Sequence, residues 1–223
     1  MAARARGAAP LRVPHGGGPV LQAGEALDRA AAAVILVHGR GGTAEGMLSL
    51  VDELTQPGFS FLAPQAEGNT WYPLSFMAPI ERNEPYLSGA LATLAALLDR
   101  SAEAGIPAER TILLGFSQGA CLALEFAARN ARRYGGLAGL SGGLIGPEGT
   151  PRTYAGSLAG TPAILGCSDV DPYIPRERVV ESGQVLERLG GKVTVQLYPG
   201  MSHMVNQDEL DRVRSMMAAL EFA

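Results

Sequence analysis

Short apolar runs alternate with stretches of helical periodicity along this chain, and this alternation limits its possible folds more than any other feature. Six runs are apolar almost throughout, as expected of strands that helices cover on both faces. They fall at residues 34–38, 60–63, 111–116, 136–140, 163–167 and 192–198. The helical stretches fall at residues 85–104, 119–133, 176–189 and 207–220. This order predicts an α/β protein with a mostly parallel central sheet flanked by helices on both faces.

The chain is predicted to form one domain behind a tail. No repeat or composition break interrupts residues 20–223, and residues 20–23 are a candidate antiparallel edge strand. Residues 1–19 are expected to be a flexible tail, because their arginines are not followed by the apolar run of a signal peptide. No stretch approaches the length of an apolar membrane span. We therefore expect a cytoplasmic protein.

Composition excludes several classes of protein. The 29 glycines follow no period, which argues against collagen-like and linker sequences. With 47% hydrophobic residues, the chain is predicted to fold rather than to be disordered. Its net charge of −4 and the absence of a basic run argue against nucleic-acid binding. The two cysteines, Cys121 and Cys167, lack metal-binding spacing, so we expect reduced thiols and no metal.

Two segments match G-x-S-x-G, the motif in which a nucleophilic serine sits on a sharp turn between a strand and a helix. Ser117, in GFSQG, follows the apolar run TILLGF and precedes a helical stretch. Ser141, in GLSGG, is followed by further glycines and a proline, which do not begin a helix. Ser117 is therefore the predicted nucleophile, and Ser141 is interpreted as a turn at a strand end.

A serine nucleophile needs a base, and the chain offers three histidines. His15 lies in the predicted tail, and His38 ends a strand and opens a glycine-rich loop. His203 lies in a turn between the last strand and the last helix, which gives the order serine, acid, histidine of α/β-hydrolase topology. His203 is the predicted base.

The acid that orients the histidine is expected just after a strand. Asp169 and Asp171 follow the run at residues 163–167, and Asp171-Pro172 forms a defined turn before a helix. Asp171 is the predicted acid, with Asp169 as the alternative. Its carboxylate would accept a hydrogen bond from Nδ1 of the histidine and stabilise the imidazolium.

Two segments resemble a loop that supplies an oxyanion donor. His15-Gly16-Gly17-Gly18 lies in the predicted tail, whereas His38-Gly39-Arg40-Gly41-Gly42 directly follows a strand. The backbone N–H groups of Arg40 and Gln118 are therefore the predicted donors. The Arg40 side chain is either a solvated charge, which we favour, or a contact for an anionic or polar part of the substrate.

Residues 68–86 are too long for a simple crossover and carry Trp71, Tyr72, Phe76 and Tyr86. Such a loop either packs over the sheet as additional core or forms an apolar wall of a ligand site. From this loop we take Trp71, Tyr72 and Phe76, together with Met201 beside the histidine, as predicted substrate contacts.

With these residues placed, the chain resembles the phospholipase/carboxylesterase family of α/β hydrolases, which includes acyl-protein thioesterases. The resemblance rests on LVHGRGG, GFSQGA, the Asp-x-Asp-Pro turn and YPGMSH. It implies Ser117, Asp171 and His203 as the triad, Arg40 and Gln118 as oxyanion donors, Trp71 near the acyl site, and no cofactor. Arg40 and Ser168 depart from the family pattern, in which an apolar residue and a glycine stand.

The predicted function is therefore a serine carboxylesterase that hydrolyses small to medium acyl esters through an acyl-enzyme. An acyl thioesterase or lysophospholipase is the alternative, and a non-catalytic ligand-binding protein with this fold is the remote one. The expected partner is a small-molecule ester, with no nucleic acid and no transmembrane segment, and a homodimer is possible.

Overall fold

A computed structural model describes residues 13–220, and residues 1–12 of the predicted tail and the last three residues lie outside this range. Its seven strands form one sheet in the order β1-β3-β2-β4-β5-β6-β7. Strands β2 to β7 run parallel to one another, and β1 pairs antiparallel with β3 at one edge. The strands are β1 Val20–Gly24, β2 Ala32–Val37, β3 Phe59–Pro64, β4 Thr111–Phe116, β5 Gly136–Leu140, β6 Pro162–Ser168 and β7 Lys192–Tyr198. The predicted fold class is confirmed.

Helices cover both faces of this sheet. They are α1 Ala44–Leu48, α2 Val51–Leu54, α3 Tyr86–Glu103, α4 Gln118–Arg129, α5 Arg176–Arg188 and α6 Gln207–Ala218. Alternate residues of each central strand point to opposite faces. In β2, Ile35 packs in the core layer beneath α3, α4 and α5, whereas Leu36 packs in the layer beneath α1, α2 and α6. This two-sided burial explains why the strand sequences are apolar at consecutive positions.

The end of α4 and the two short helices after β2 differ most from the prediction. Helix α4 ends at Arg129 rather than at residue 133, because Asn130 leaves the helical conformation and its carbonyl accepts a hydrogen bond from the hydroxyl of the buried Tyr134. The short helices α1 and α2 were not predicted, since segments of five and four residues carry too little periodicity to be recognised.

The last part of the predicted tail packs against the domain. His15 is 4% exposed, its Nε2–H donates to the carbonyl of Trp71 at 2.9 Å, and its Nδ1 accepts the N–H of Glu67 at 3.0 Å. Residues 13–19 therefore do not match the expectation of a flexible tail, because a buried imidazole with two backbone partners fixes them to the loop after β3.

Candidate active site

Ser117 lies in the turn between β4 and α4, at the carboxyl end of the sheet. Its backbone has φ 55° and ψ −120°, outside the regions that L residues prefer, and such a conformation costs on the order of 1–3 kcal/mol. The flanking glycines permit this turn, since a Cβ at Gly115 would overlap the carbonyl of Gly119, and one at Gly119 would overlap that of Val37. Each glycine of the motif is therefore required because a side chain there would clash with the backbone.

The side chains predicted from sequence as nucleophile, base and acid form a hydrogen-bonded row in this structure. They are Ser117, His203 and Asp171. The Nε2 atom of His203 lies 2.9 Å from Oγ of Ser117, and its Nδ1 lies 2.7 Å from Oδ2 of Asp171. Two aromatic rings flank the imidazole, with centroids 5.0 Å away for Phe116 and 4.9 Å for Tyr173. These contacts hold the histidine between the hydroxyl and the carboxylate.

The carboxylate of Asp171 is kept ionised by its hydrogen bonds. Burial opposes its ionisation, but His203 and the backbone N–H groups of Tyr173 and Ile174 outweigh burial and lower the pKa of Asp171 below its usual value. Those two N–H groups donate to Oδ1 at 2.9 and 3.0 Å, which leaves Oδ2 for the histidine. The Asp171-Pro172 turn thereby orients Oδ2 of the acid towards Nδ1 of His203.

Asp169, the alternative acid, lies elsewhere. Its Oδ1 accepts the backbone N–H of Gly200 at 2.8 Å. It therefore joins the loop after β6 to the loop that carries His203, without bonding the imidazole itself.

The two other histidines are buried and bonded to the backbone through both ring nitrogens. In His38, Nδ1–H donates to the carbonyl of Gly39 at 2.7 Å and Nε2 accepts the N–H of Ala66 at 3.1 Å. His15 is bonded in the same manner, and burial lowers the pKa of both imidazoles. Neither ring has a nitrogen that is free to accept the proton of a serine hydroxyl.

The loop predicted to supply an oxyanion donor lies directly against the serine, since a Cβ at Gly39 would stand 3.1 Å from Cβ of Ser117. Within residues 13–220, no carbonyl accepts a hydrogen bond from the N–H of Arg40 or of Gln118. Both predicted donors therefore remain available for a developing negative charge.

The side chains of these two residues hold a neighbouring segment. The guanidinium of Arg40 donates to the carbonyls of Tyr72, Pro73 and Leu74 at 2.9, 3.0 and 2.6 Å. The amide of Gln118 accepts the N–H of Trp71 at 2.9 Å and donates to the carbonyl of Tyr72 at 2.8 Å. The favoured interpretation of Arg40 as a merely solvated charge is therefore wrong, because its guanidinium bridges three carbonyls.

A cavity of about 810 Å³ opens beside Ser117 and His203. Of the four predicted substrate contacts, Tyr72 and Phe76 line it, and Trp71 and Met201 do not. The indole of Trp71 is fully buried, with Nε1–H donating to the carbonyl of His38 at 2.8 Å, so it supports the loop from behind. The sulfur of Met201 accepts from the amide of Asn206 at 2.9 Å.

Three further features of the described residues are the grouping of their potential metal ligands, the length and hydropathy of their helices, and the state of their cysteines. Across residues 13–220, no cluster of three His, Cys, Asp or Glu side chains could hold a metal ion, and no helix is both long and apolar enough to cross a membrane. The two cysteines are free and buried, and desolvation raises the pKa of both thiols to about 12. They stay protonated and are poor nucleophiles.

Comparisons with known proteins identify a family and several structures with a similar fold. The sequence profile of the family described as Phospholipase/Carboxylesterase matches residues 21–221. A solved phospholipase/carboxylesterase from Dyadobacter fermentans is 41% identical and has a TM-score of 0.87, with 91% of this chain and 97% of that one covered. The solved esterase PE8 is 28% identical, with a TM-score of 0.74 and coverages of 90% and 97%. Acyl-protein thioesterase 1 of Gibberella zeae is 28% identical over 219 residues, which cover 86% of this chain and 92% of the relative.

Proposed function

This chain belongs to the phospholipase/carboxylesterase family of α/β hydrolases and is a serine hydrolase; from this premise we propose that it is a carboxylesterase for small to medium acyl esters. The observation that carries the proposal is the hydrogen-bonded row of Ser117, His203 and Asp171 at the mouth of the cavity. The cavity walls include Tyr72, Phe76 and Ile174, which suit an apolar acyl group.

The reaction follows from the position of each group. Oγ of Ser117 attacks the ester carbonyl while Nε2 of His203 takes its proton. The ionised Asp171 accepts the hydrogen bond from Nδ1–H and stabilises the imidazolium. The N–H groups of Arg40 and Gln118 bind the oxyanion, and the loss of one such donor typically costs about 2.7–4 kcal/mol of transition-state stabilisation.

The two halves of the reaction use the same proton carrier. His203 first gives its proton to the departing alcohol, which leaves the acyl group on Ser117. Water then enters, His203 accepts a proton from it, and the resulting oxygen nucleophile attacks the acyl carbonyl. Collapse of this second intermediate releases the acid and returns the proton to Ser117.

An acyl thioesterase is the second candidate, because relatives named acyl-protein thioesterase 1 match most of the chain. Both activities use the same acyl-enzyme and differ in the leaving group. The arginine at position 40, where acyl-protein thioesterases carry an apolar residue, favours the esterase.

A chain-length series distinguishes the two candidates. We would measure kcat/KM for p-nitrophenyl esters and matched alkyl thioesters from acetyl to dodecanoyl, with the Ser117→Ala variant as the blank. The esterase predicts a maximum among the short and medium esters. A higher kcat/KM for long-chain thioesters would replace it with the thioesterase, and a wild-type protein inert towards both series would overturn either function.

A further inference from the structure

The cavity beside Ser117 carries an unbalanced positive charge. Arg40 is the one Arg or Lys among its lining residues, and no Asp or Glu lines it. Within residues 13–220, no carboxylate forms an ion pair with Arg40. An exposed cation in a binding cavity without a protein counter-ion is available to an anionic ligand.

The guanidinium of Arg40 is also fixed in place. Its contacts with the carbonyls of residues 72–74 use three of the five N–H donors of an arginine. The Nε–H and one N–H of Nη1 have no partner within residues 13–220 and can donate to a ligand. Because the side chain is already ordered, a ligand that binds it does not bear the entropic cost of restricting its rotamers.

The same residue connects this charge to the reaction. The backbone N–H of Arg40 is a proposed oxyanion donor, so its guanidinium lies no farther from the oxyanion position than one hydrogen bond plus one extended side chain. A hydrogen bond of about 2.9 Å and a side chain that spans roughly 7 Å give a limit of roughly 10 Å. An anionic group that meets Arg40 is therefore separated from the scissile carbonyl by no more than a short carbon chain.

We propose that the cavity selects esters that carry a carboxylate a few carbons from the scissile carbonyl, and that the Arg40 guanidinium recognises this carboxylate. The inference rests on the proposed esterase function and specifies its substrate class as monoesters of short dicarboxylic acids. Hydrolysis of such a monoester consumes one water and yields the dicarboxylate, an alcohol and the proton of the new acid. The neutral carbonyls of residues 72–74 position the guanidinium and leave its charge uncompensated.

The test compares substrates that differ only in this charge. Ethyl hydrogen adipate and ethyl hexanoate share their chain length, and a pH-stat measures the hydrolysis of both, with glutarate and pentanoate esters as a second pair. At low ionic strength we expect kcat/KM to favour the anionic ester by about 10-fold, and the preference to shrink in high salt because the cation is exposed. A wild-type preference for the neutral ester would overturn the proposal.

Three variants separate charge recognition from support of the cavity wall. Arg40→Met should abolish the anionic preference, and Arg40→Lys, which keeps the charge, should retain part of it. Arg176→Met is the matched control, because it removes the same charge from an exposed arginine outside the cavity and should leave the ratio unchanged. If Arg40→Met and Arg40→Lys lowered both activities in parallel with the ratio intact, Arg40 would be only a structural support.

A measurement on the wild-type protein gives an independent check. Adipate should inhibit the hydrolysis of ethyl hexanoate competitively and at lower concentration than the neutral hexanamide does. Equal inhibition by adipate and hexanamide would overturn the proposed recognition while leaving the esterase function intact. Absence of hydrolysis of any neutral ester would instead contradict the esterase function itself.

Discussion

The two G-x-S-x-G segments share a strand-end turn and differ in the groups that surround their serines. Each serine follows a parallel strand and has a positive φ, 55° at Ser117 and 52° at Ser141. The hydroxyl of Ser117 meets His203. The hydroxyl of Ser141 is buried beside the Cys167 thiol, and no nitrogen or oxygen atom within residues 13–220 forms a hydrogen bond with it. The motif therefore specifies a backbone turn, and the chemistry depends on loops from other strands.

The second segment supports the first. The backbone N–H of Ser117 donates to the carbonyl of Leu140, and the N–H of Gly143 donates to the sulfur of Cys121 in the first turn of α4. A Cβ at Gly142 would overlap Cβ of Ala120, so only glycine allows this close packing. The glycines around Ser141 thus brace the helix that begins after the reactive serine.

The largest expected effect comes from deleting each hydroxyl in turn. Ser117→Ala should lower ester hydrolysis by at least about 10⁴-fold and abolish labelling by a fluorophosphonate, because the nucleophile is lost. Ser141→Ala should retain both, since its hydroxyl meets no base. Circular dichroism checks that each variant is folded. Labelling that persists in Ser117→Ala and disappears in Ser141→Ala would reverse the assignment of the two segments.

Replacing the acid that orients His203 should leave the Ser117 hydroxyl as unreactive as that of Ser141. Asp171→Asn should reduce kcat by about 10⁴-fold, because an amide cannot hold His203 in the productive tautomer. Asp169→Asn is the matched control, since its side-chain oxygen still accepts the N–H of Gly200, and we expect less than a few-fold change. Steady-state kinetics on one p-nitrophenyl ester measures both. Equal losses would mean that the two carboxylates act together.

The strands and the catalytic order were predictable from sequence because they depend on local patterns. Apolar runs indicated the strands, and turn residues after β4, β6 and β7 indicated the candidate triad. The environments of His15, Arg40 and Trp71 were not predictable, because their partners lie more than 30 residues away along the chain. Only the folded path of residues 66–74 brings these groups together.

A pH-dependent stability is expected beneath the Ser141 turn. Gly166, whose carbonyl accepts the N–H of Ser141, packs against the buried carboxylate of Glu209, which has one oxygen without a partner within residues 13–220. Burial raises the pKa of Glu209 from 4.5 to about 7. The stability contributed by the protonated acid is therefore present below pH 4.5 and is lost as the pH rises through 7, by about 3 kcal/mol.

Glu209→Gln should remove this loss, because an amide does not ionise. Urea unfolding should show the variant to be more stable than wild type at about pH 8 and similar to it at about pH 4.5. Asp208→Asn is the control on the same helix, since its carboxylate is exposed and paired with Arg212, and it should bring no gain at the higher pH. A gain for Glu209→Gln of equal size at both pH values would show that repacking, rather than charge, is responsible.

The smallest expected effect tests whether the two turns bear the same conformational strain. Glycine adopts a positive φ without a Cβ clash, and at position 141 it also removes a buried hydroxyl to which no nitrogen or oxygen atom within residues 13–220 is bonded. After subtraction of glycine's greater entropy in the unfolded chain, Ser141→Gly should stabilise the protein by about 1 kcal/mol, a rise of roughly 2–4 °C in Tm. Ser117→Gly should gain stability through the same relief of φ but lose all activity, whereas Ser141→Gly should keep it. A destabilised Ser141→Gly would mean that its hydroxyl contributes to the brace under α4, and the two serines would then both be required, one for the reaction and one for the fold.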